Sequence, residues 1–281
     1  MTKVLVTGSG GFIGRHVVES LAKKGCEVIA VDINNSALKP IEGVTVYNCS
    51  IFDEGQDVFE KFGCPDICVH LAWRDGFVHN SDAHMKDISS HYTFIKNMLD
   101  GGLKKIAVMG TMHEIGYWEG AIDENTPCNP MSQYGIAKNA LRQSIIKLCE
   151  ESKSILYWLR AFYIVGDDTF NHSIFSKIVQ MDKNGEELFP FTSGKNKYDF
   201  ISVDELALQI STSVLQDDIT GIINMCTGQP KSLGERVEEF IKDLNLKIRP
   251  LYGAYPDRQY DSPGVWGDAT KINEILSNAK R

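Results

Sequence analysis

The chain of 281 residues is notable first for what it lacks. No run approaches the ~18 consecutive apolar residues that a spanning helix needs, so no membrane segment is expected. The N-terminus, Met1-Thr2-Lys3-Val4-Leu5-Val6, has neither the apolar core nor the small-residue cleavage site of a signal peptide. The seven cysteines (Cys26, Cys49, Cys64, Cys68, Cys128, Cys149 and Cys226) are odd in number and scattered, and none forms a Cys-x-x-Cys pair. Reduced thiols in a cytoplasmic protein are expected, with no disulfide frame and no metal site. Positive charge is also short: 29 Lys and Arg against 37 Asp and Glu leave a net charge of −8. A nucleic-acid backbone wants a basic face, so nucleic acid is not an expected partner. A few local cations can still hold an anionic substrate. Repeats and low-complexity segments are missing, and the ordinary balance of apolar and charged residues excludes disorder and collagen-like structure.

What is present is alternation. Strands are expected at Lys3–Thr7, Glu27–Asp32, Val44–Asn48, Ile67–Leu71, Ile106–Met109 and Ile155–Leu159, with helices over Ile13–Lys24, Met85–Leu99 and Pro130–Glu151. Continuously apolar strands separated by helices mark a parallel sheet covered on both faces. The fold class expected is a Rossmann-like doubly wound α/β sheet with a smaller C-terminal α/β lobe. In the second half, Asn171–Met181, Leu233–Leu244 and Ala269–Leu276 read as helices, and Phe200–Val214 as a strand turning into a helix. The Gly- and Pro-bearing stretch 249–267 reads as a loop. Residues 1–165 are expected to form the sheet domain. Residues 166–281 are expected to form mainly a substrate lobe, with the chain returning to the first domain.

Between the first strand and the first helix lies Thr7-Gly8-Ser9-Gly10-Gly11-Phe12-Ile13-Gly14, spaced Gly8-x-x-Gly11-x-x-Gly14. Such a turn lets backbone N–H groups approach a pyrophosphate at the positive end of a helix, and Gly14 lets the helix pack close to the strand. An ordinary tight turn lacks this context of strand, helix and a following acid. Asp32 lies 18 residues past Gly14, where a carboxylate reaches ribose hydroxyls; its ordinary alternative is a turn or cap residue. That carboxylate would repel a 2′-phosphate, and no Arg follows in Ile33-Asn34-Asn35, so NAD is expected ahead of NADP.

Tyr134 and Lys138 stand four residues apart early in the long helix, on one face. A phenol near pKa ~10 is a poor acid or base at neutral pH. An ammonium one turn away, joined by an oxidised nicotinamide, is expected to pull it down. An ordinary half-buried helix pair has the same spacing. Thr111 sets this pair apart. It falls just past the fifth strand, on the carboxyl edge where such sheets bind ligands, and its hydroxyl can hold a substrate carbonyl oxygen beside the phenol.

Over almost its whole length the chain resembles the extended short-chain dehydrogenase/reductase family, the NAD-dependent epimerases and dehydratases of nucleotide sugars. The resemblance rests on the glycine motif, Asp32, His70-Leu71-Ala72, Thr111, Tyr134-x-x-x-Lys138, Leu159-Arg160, Asp199-Phe200-Ile201-x-Val203-Asp204, Arg258-x-x-Asp261 and Trp266-x-Asp268. It implies Tyr134 as the acid/base, Lys138 as the residue that orients the ribose and tunes the phenol, and Thr111 as the holder of the sugar oxygen. It implies that Gly8, Gly11, Phe12, Ile13, Gly14, Asp32, Ile33, Ser50, Ile51, Leu71, Ala72, Trp73, Ala161 and Phe162 surround NAD with the dyad. Met112, His113, Tyr163, Asn171, Lys197 and Arg258 then face a nucleotide-diphosphate sugar. The Arg258 guanidinium suits the diphosphate, with a solvated loop arginine as its alternative. A homodimer through Met85–Leu99 and Pro130–Glu151 is implied as well.

The departures from the family pattern are informative. Ser50 stands where an Asp often contacts adenine, and His91 where an Asn is usual. Ala161-Phe162-Tyr163 replaces a run ending in Asn. Tyr198 replaces an Arg before Asp199, which leaves Lys197 as the local cation. After Thr111, the 4,6-dehydratases carry an Asp and a Glu because water elimination needs its own acid and base. Here the run is Thr111-Met112-His113-Glu114, and Met112 cannot move a proton, so dehydration is disfavoured. His113 and Glu114 either face the site, support it from behind or lie at the surface.

Hydride transfer at a sugar carbon remains. The segment from Met109 to Tyr134 looks like that of dTDP-4-dehydro-6-deoxyglucose reductases, which feed polysaccharide synthesis. An NAD(P)-dependent reductase of a nucleotide-bound 4-keto-6-deoxy sugar is therefore the expected function. A nucleotide-sugar 4-epimerase uses the same three residues. A non-catalytic dinucleotide sensor uses the same fold, but usually without the Tyr and Lys kept here.

Overall fold

A computed structural model describes residues 1–53, 55–166, 173–257 and 261–280. The strands are β1 (Lys3–Thr7), β2 (Glu27–Asp32), β3 (Val44–Asn48), β4 (Ile67–His70), β5 (Lys105–Thr111), β6 (Gly120–Ile122), β7 (Ile155–Ala161), β8 (Tyr163–Val165), β9 (Leu188–Pro190), β10 (Lys197–Tyr198), β11 (Phe200–Ser202), β12 (Gly221–Met225), β13 (Lys231–Ser232), β14 (Arg249–Leu251) and β15 (Gly264–Gly267). The helices are α1 (Phe12–Lys23), α2 (Val58–Lys61), α3 (Ala83–Asp100), α4 (Gln133–Ser152), α5 (Ile174–Lys183), α6 (Val203–Val214), α7 (Leu233–Asp243) and α8 (Thr270–Asn278), with a 3-10 turn at Met112–Glu114.

Seven strands make one parallel sheet in the order β12-β7-β5-β4-β1-β2-β3. Successive side chains on a strand point to opposite faces. Val4 and Val6 thus enter a core shared with Val17, Leu21, Leu206 and Ile210 from α1 and α6. Leu5 enters the other, shared with Phe94, Met98, Leu141 and Ile145 from α3 and α4. With both faces covered, each fully buried Val, Leu or Ile contributes about 1.5–3 kcal/mol. The doubly wound α/β reading is the observed fold.

Three details differ from the sequence reading. Helix α4 starts at Gln133 rather than Pro130, because Ser132 is extended and its hydroxyl accepts the Gly135 N–H at 3.2 Å. The second half supplies β12, an unexpected seventh sheet strand. It opens on a glycine and shows no alternation, and it extends because β7 pairs with its whole length. Stretch 249–267 is not all loop. It holds β14, paired with β9, and β15, which lies between β10 and β6. Long-range pairing overrides local Gly and Pro content there.

The smaller lobe has its own core of Phe175, Ile178, Phe189, Phe191, Val237, Phe240 and Ile248. Buried Asp199 fastens it. One carboxylate oxygen accepts the Thr227 N–H (2.9 Å) and hydroxyl (2.6 Å), and the other accepts the N–H groups of Gly228 (2.9 Å) and Gly267 (3.2 Å). Among the described residues, no helix is long and apolar enough to cross a membrane.

Candidate active site

The sheet order reverses between β1 and β4, which opens a crevice at the carboxyl ends of these neighbours. The loops that follow them touch. Gly8 has φ +71°, and a Cβ there would stand 2.6 Å from the Ala72 nitrogen; a Cβ at Gly14 would stand 2.0 Å from the Gly8 oxygen. Only glycine fits either position, so backbone N–H groups line the crevice. Asp32 caps no helix. Its carboxylate accepts the Gly10 N–H at 3.1 Å and the Asn34 N–H at 3.2 Å, which braces the loop and holds the acid at the end of β2. This cradle, with its carboxylate at the end of β2, fits NAD. Gly11 caps α1, where Phe12 and Ile13 form the first turn. Ile33 is exposed and Ile51 buried, while the Ser50 hydroxyl accepts the Phe52 N–H at 3.2 Å. Ala161 and Phe162 are buried at the end of β7.

Thr111 ends β5, and Tyr134 lies in the first turn of α4, where the phenol and the hydroxyl come together. Lys138, one turn on, is 3% exposed. Its Nζ donates to the Met109 carbonyl at 2.8 Å and lies 3.8 Å from the centre of the Trp73 ring. The Trp73 and Tyr134 ring centres are 6.2 Å apart, so Trp73 touches both halves of the pair. Burial sets the electrostatics of the pair. Burial pushes Tyr134 up to about 12, the Thr111 hydrogen bond only partly opposing it, and Glu114's charge adds to the rise. Burial also pushes Lys138 down to about 7, against the pull of Glu114. Desolvation dominates the shift of both groups.

Histidines crowd this centre. Thr7 Oγ1 and His70 Nδ1 are 2.8 Å apart, and His70 Nε2 and His91 Nδ1 are 2.9 Å apart. His91 stacks on Trp73 at 4.4 Å, and the Trp73 indole N–H donates to His84 Nδ1 at 3.1 Å. Burial pushes His70 down to about 3, helped by Lys138; burial, then His70 and Lys138, hold His91 well below its ordinary range. Both are neutral in the fold, whereas in the unfolded chain they take protons below about pH 6.5. Stability from this pair is therefore intact above pH ~6.5 and falls as pH drops toward the folded pKa values. At pH ~5 the loss is about 2 kcal/mol per imidazole. Between pH ~7.5 and ~5, urea unfolding of His91→Gln should lose about 2 kcal/mol less than the wild type. Equal losses would show that His91 is charged in the fold.

Glu114 supports the site from behind. It is fully buried, and its carboxylate accepts from Arg160 Nε at 2.6 Å and Trp158 Nε1 at 3.1 Å, with Arg142 Nε 3.7 Å away. Met112 is buried in the main core, so it has little surface to offer a sugar. Its neighbour His113 is half-buried beside Tyr134, with ring centres 6.0 Å apart. Tyr163 packs on Tyr198 at 4.4 Å, across the junction with the small lobe, and Lys197 is exposed on β10. Asn171 and Arg258 lie outside the described residues. His79 is absent from the sequence reading. It stacks on Tyr134, with ring centres 5.6 Å apart. A lone loop histidine carries no spacing signal, and only the fold brings it there.

Comparison with known proteins agrees with this geometry. A dTDP-6-deoxy-L-talose 4-dehydrogenase (NAD(+)) of Aggregatibacter actinomycetemcomitans is 43% identical over 270 residues, covering 94% of this chain and 98% of that protein. Among solved structures, the UDP-N-acetylglucosamine 4-epimerase of Methanobrevibacter ruminantium M1 matches with a TM-score of 0.85 at 21% identity, covering 98% of this chain and 91% of that one. The UDP-glucose 4-epimerase of Thermotoga maritima matches at 0.80 and 24%, covering 97% and 92%. At such identities these structures speak for the fold. The profile of the NAD dependent epimerase/dehydratase family matches residues 4–226, across the glycine loop, Asp32, Thr111, Tyr134 and Lys138. With that match and the dehydrogenase relative, the chain belongs to the NAD dependent epimerase/dehydratase family and is an NAD-dependent enzyme.

Proposed function

We propose that the protein is a reductase of a nucleotide-bound 4-keto-6-deoxy sugar, working equally on the reverse oxidation of the C4 alcohol. The observation that carries this reading is the meeting of the Thr111 and Tyr134 side chains at the carboxyl edge of β5, with Lys138 buried one turn further along α4. Such a site moves a proton on one oxygen and offers no second acid or base at Met112 for water elimination. The dTDP-6-deoxy-L-talose 4-dehydrogenase supports the sugar class. Oxidising C4 of its 6-deoxy sugar yields a 4-keto-6-deoxy sugar, and reduction runs through the same atoms.

The glycine loop and Asp32 hold NAD, which when bound supplies the hydride chemistry. In the reducing direction Tyr134 gives its phenolic proton to the C4 carbonyl oxygen; in the oxidising direction it takes the proton from the C4 hydroxyl. Thr111 hydrogen-bonds the same oxygen and aligns it with the phenol. Lys138, pinned by Met109 and Trp73, places positive charge beside the phenolate as it forms, and the N-terminal end of α4 adds to it. Glu114 favours the protonated form of Lys138 from behind.

Mixing the protein with NADH and a dTDP-4-keto-6-deoxy sugar should consume the absorbance of reduced nicotinamide in step with appearance of the alcohol. No consumption, together with interconversion of two C4 epimers, would replace this reading with an epimerase.

A further inference from the structure

Loop 74–82 is bound to the start of the helix that carries Tyr134. The Tyr134 N–H donates to the His79 carbonyl at 2.9 Å, and the Gln133 N–H donates to Asn80 Oδ1 at 3.2 Å. These are donors that a helix N-terminus leaves unpaired. The loop is also braced internally, with the Ser81 hydroxyl donating to Asp75 at 2.6 Å and His84 Nε2 3.0 Å from the Val78 oxygen. The His79 imidazole is thereby held on one side of the phenol, and His113, from the turn after Thr111, meets it at 4.4 Å between ring centres.

These two side chains differ from the other described histidines. Ring nitrogens of His16, His70, His84 and His91 are in hydrogen bonds with neighbouring groups. Those of His79 and His113 are in none among the described residues, and both side chains are half-buried against Tyr134. Burial lowers both imidazoles from their ordinary range, His113 to about 4, and His79 and His84 respectively add to the effect on His113 and His79. The pair therefore faces the reacting centre uncharged, with one N–H donor and one lone-pair acceptor on each ring.

We propose that His79 and His113 form the sugar-reading wall of the site, selecting a sugar that is uncharged next to C4 over a uronic acid. This rests on the function proposed above, which puts C4 at Tyr134. The groups on C3 and C5 are then the ones a wall beside the phenol meets. Hydroxyls there match the donors and acceptors of two neutral imidazoles, and a C6 methyl is accepted by the ring faces. A C6 carboxylate would lose its water against groups that bring no charge to compensate it. Lys138 cannot serve, being committed to Met109 and Trp73, and Arg160 is committed to Glu114.

Calorimetric titration of the NAD-loaded full chain with two dTDP-sugars, alike except for a methyl or a carboxylate at C6, tests the wall without needing turnover. The wild type should bind the methyl form at least about tenfold more tightly. His79→Ala and His113→Ala should each weaken that form about tenfold and leave NAD affinity unchanged, since the His79 contact to α4 is made by its backbone carbonyl. His113→Asn, which keeps a donor and an acceptor, should stay within about threefold of the wild type. His113→Lys should tighten the carboxylate form about tenfold. Alanine variants with unchanged sugar affinity and preference overturn the wall, and so does a parallel loss of NAD affinity, which marks a structural role. If the wild type binds NAD but neither sugar, the function proposed above fails, and the wall with it.

Discussion

Tyr134→Phe is expected to lower kcat by about 10³-fold, a loss of roughly 4 kcal/mol of transition-state stabilisation. The phenol is half-buried beside Thr111, and removing its oxygen leaves the reacting sugar oxygen without a positioned proton donor. Phe keeps the ring that stacks on His79 and meets Trp73, so the packing of α4 survives. The change removes one oxygen and its proton. NAD affinity should change by less than about threefold, because the proposed cradle of the glycine loop and Asp32 is untouched. Steady-state kinetics with a direct NAD titration separates the two quantities. Wild-type turnover in the Phe variant would remove Tyr134 from the chemistry and leave the site without its proton carrier.

Glu114→Ala should destabilise the fold by about 3–5 kcal/mol, the range for breaking a buried ion pair by removing one partner. Arg160 is itself fully buried. Without Glu114 its guanidinium keeps only the Asp123 carbonyl, at 2.8 Å, and its Nη2 has no partner even in the intact protein. Arg142 Nε is likewise buried without a hydrogen bond and relies on the same carboxylate at 3.7 Å. Trp158 would lose the acceptor of its indole N–H. The melting temperature should fall by about 10 °C, and Glu114→Gln, which keeps an acceptor for the indole but no charge, should lie between. Urea denaturation with matched m-values measures the loss. A cost below about 1 kcal/mol would mean that water reaches the two guanidinium groups.

The strands β1–β5 and β7 and the helices α1, α3 and α4 were readable because buried parallel strands and long amphipathic helices each impose a strong local pattern. The glycine turn after β1 and the acid at the end of β2 were readable for a related reason: their positions follow from a spacing along the chain. Other features come from pairing across long separations. Strand β15 holds two glycines and follows Pro263, and it is extended because β6 and β10 flank it. The placement of His79 depends on the docking of loop 74–82 on α4, and the ammonium of Lys138 meets Trp73 across 65 residues of sequence. The burial around Tyr134 and Lys138 was not readable, because spacing shows which charges are neighbours but not how much water has been removed around them.

Asp199 carries one last consequence, for how such a protein can diversify. A single carboxylate gathers four donors from two distant segments of chain, so the seat of the small lobe does not depend on the loops around the sugar. Mutation can rewrite those loops, change length or swap side chains, while the rivet keeps the segments around Asp199, Thr227 and Gly267 together. Grafting loops from one member of the family onto another should succeed where this aspartate and its glycine partners are retained, and should yield floppy chimaeras where they are not.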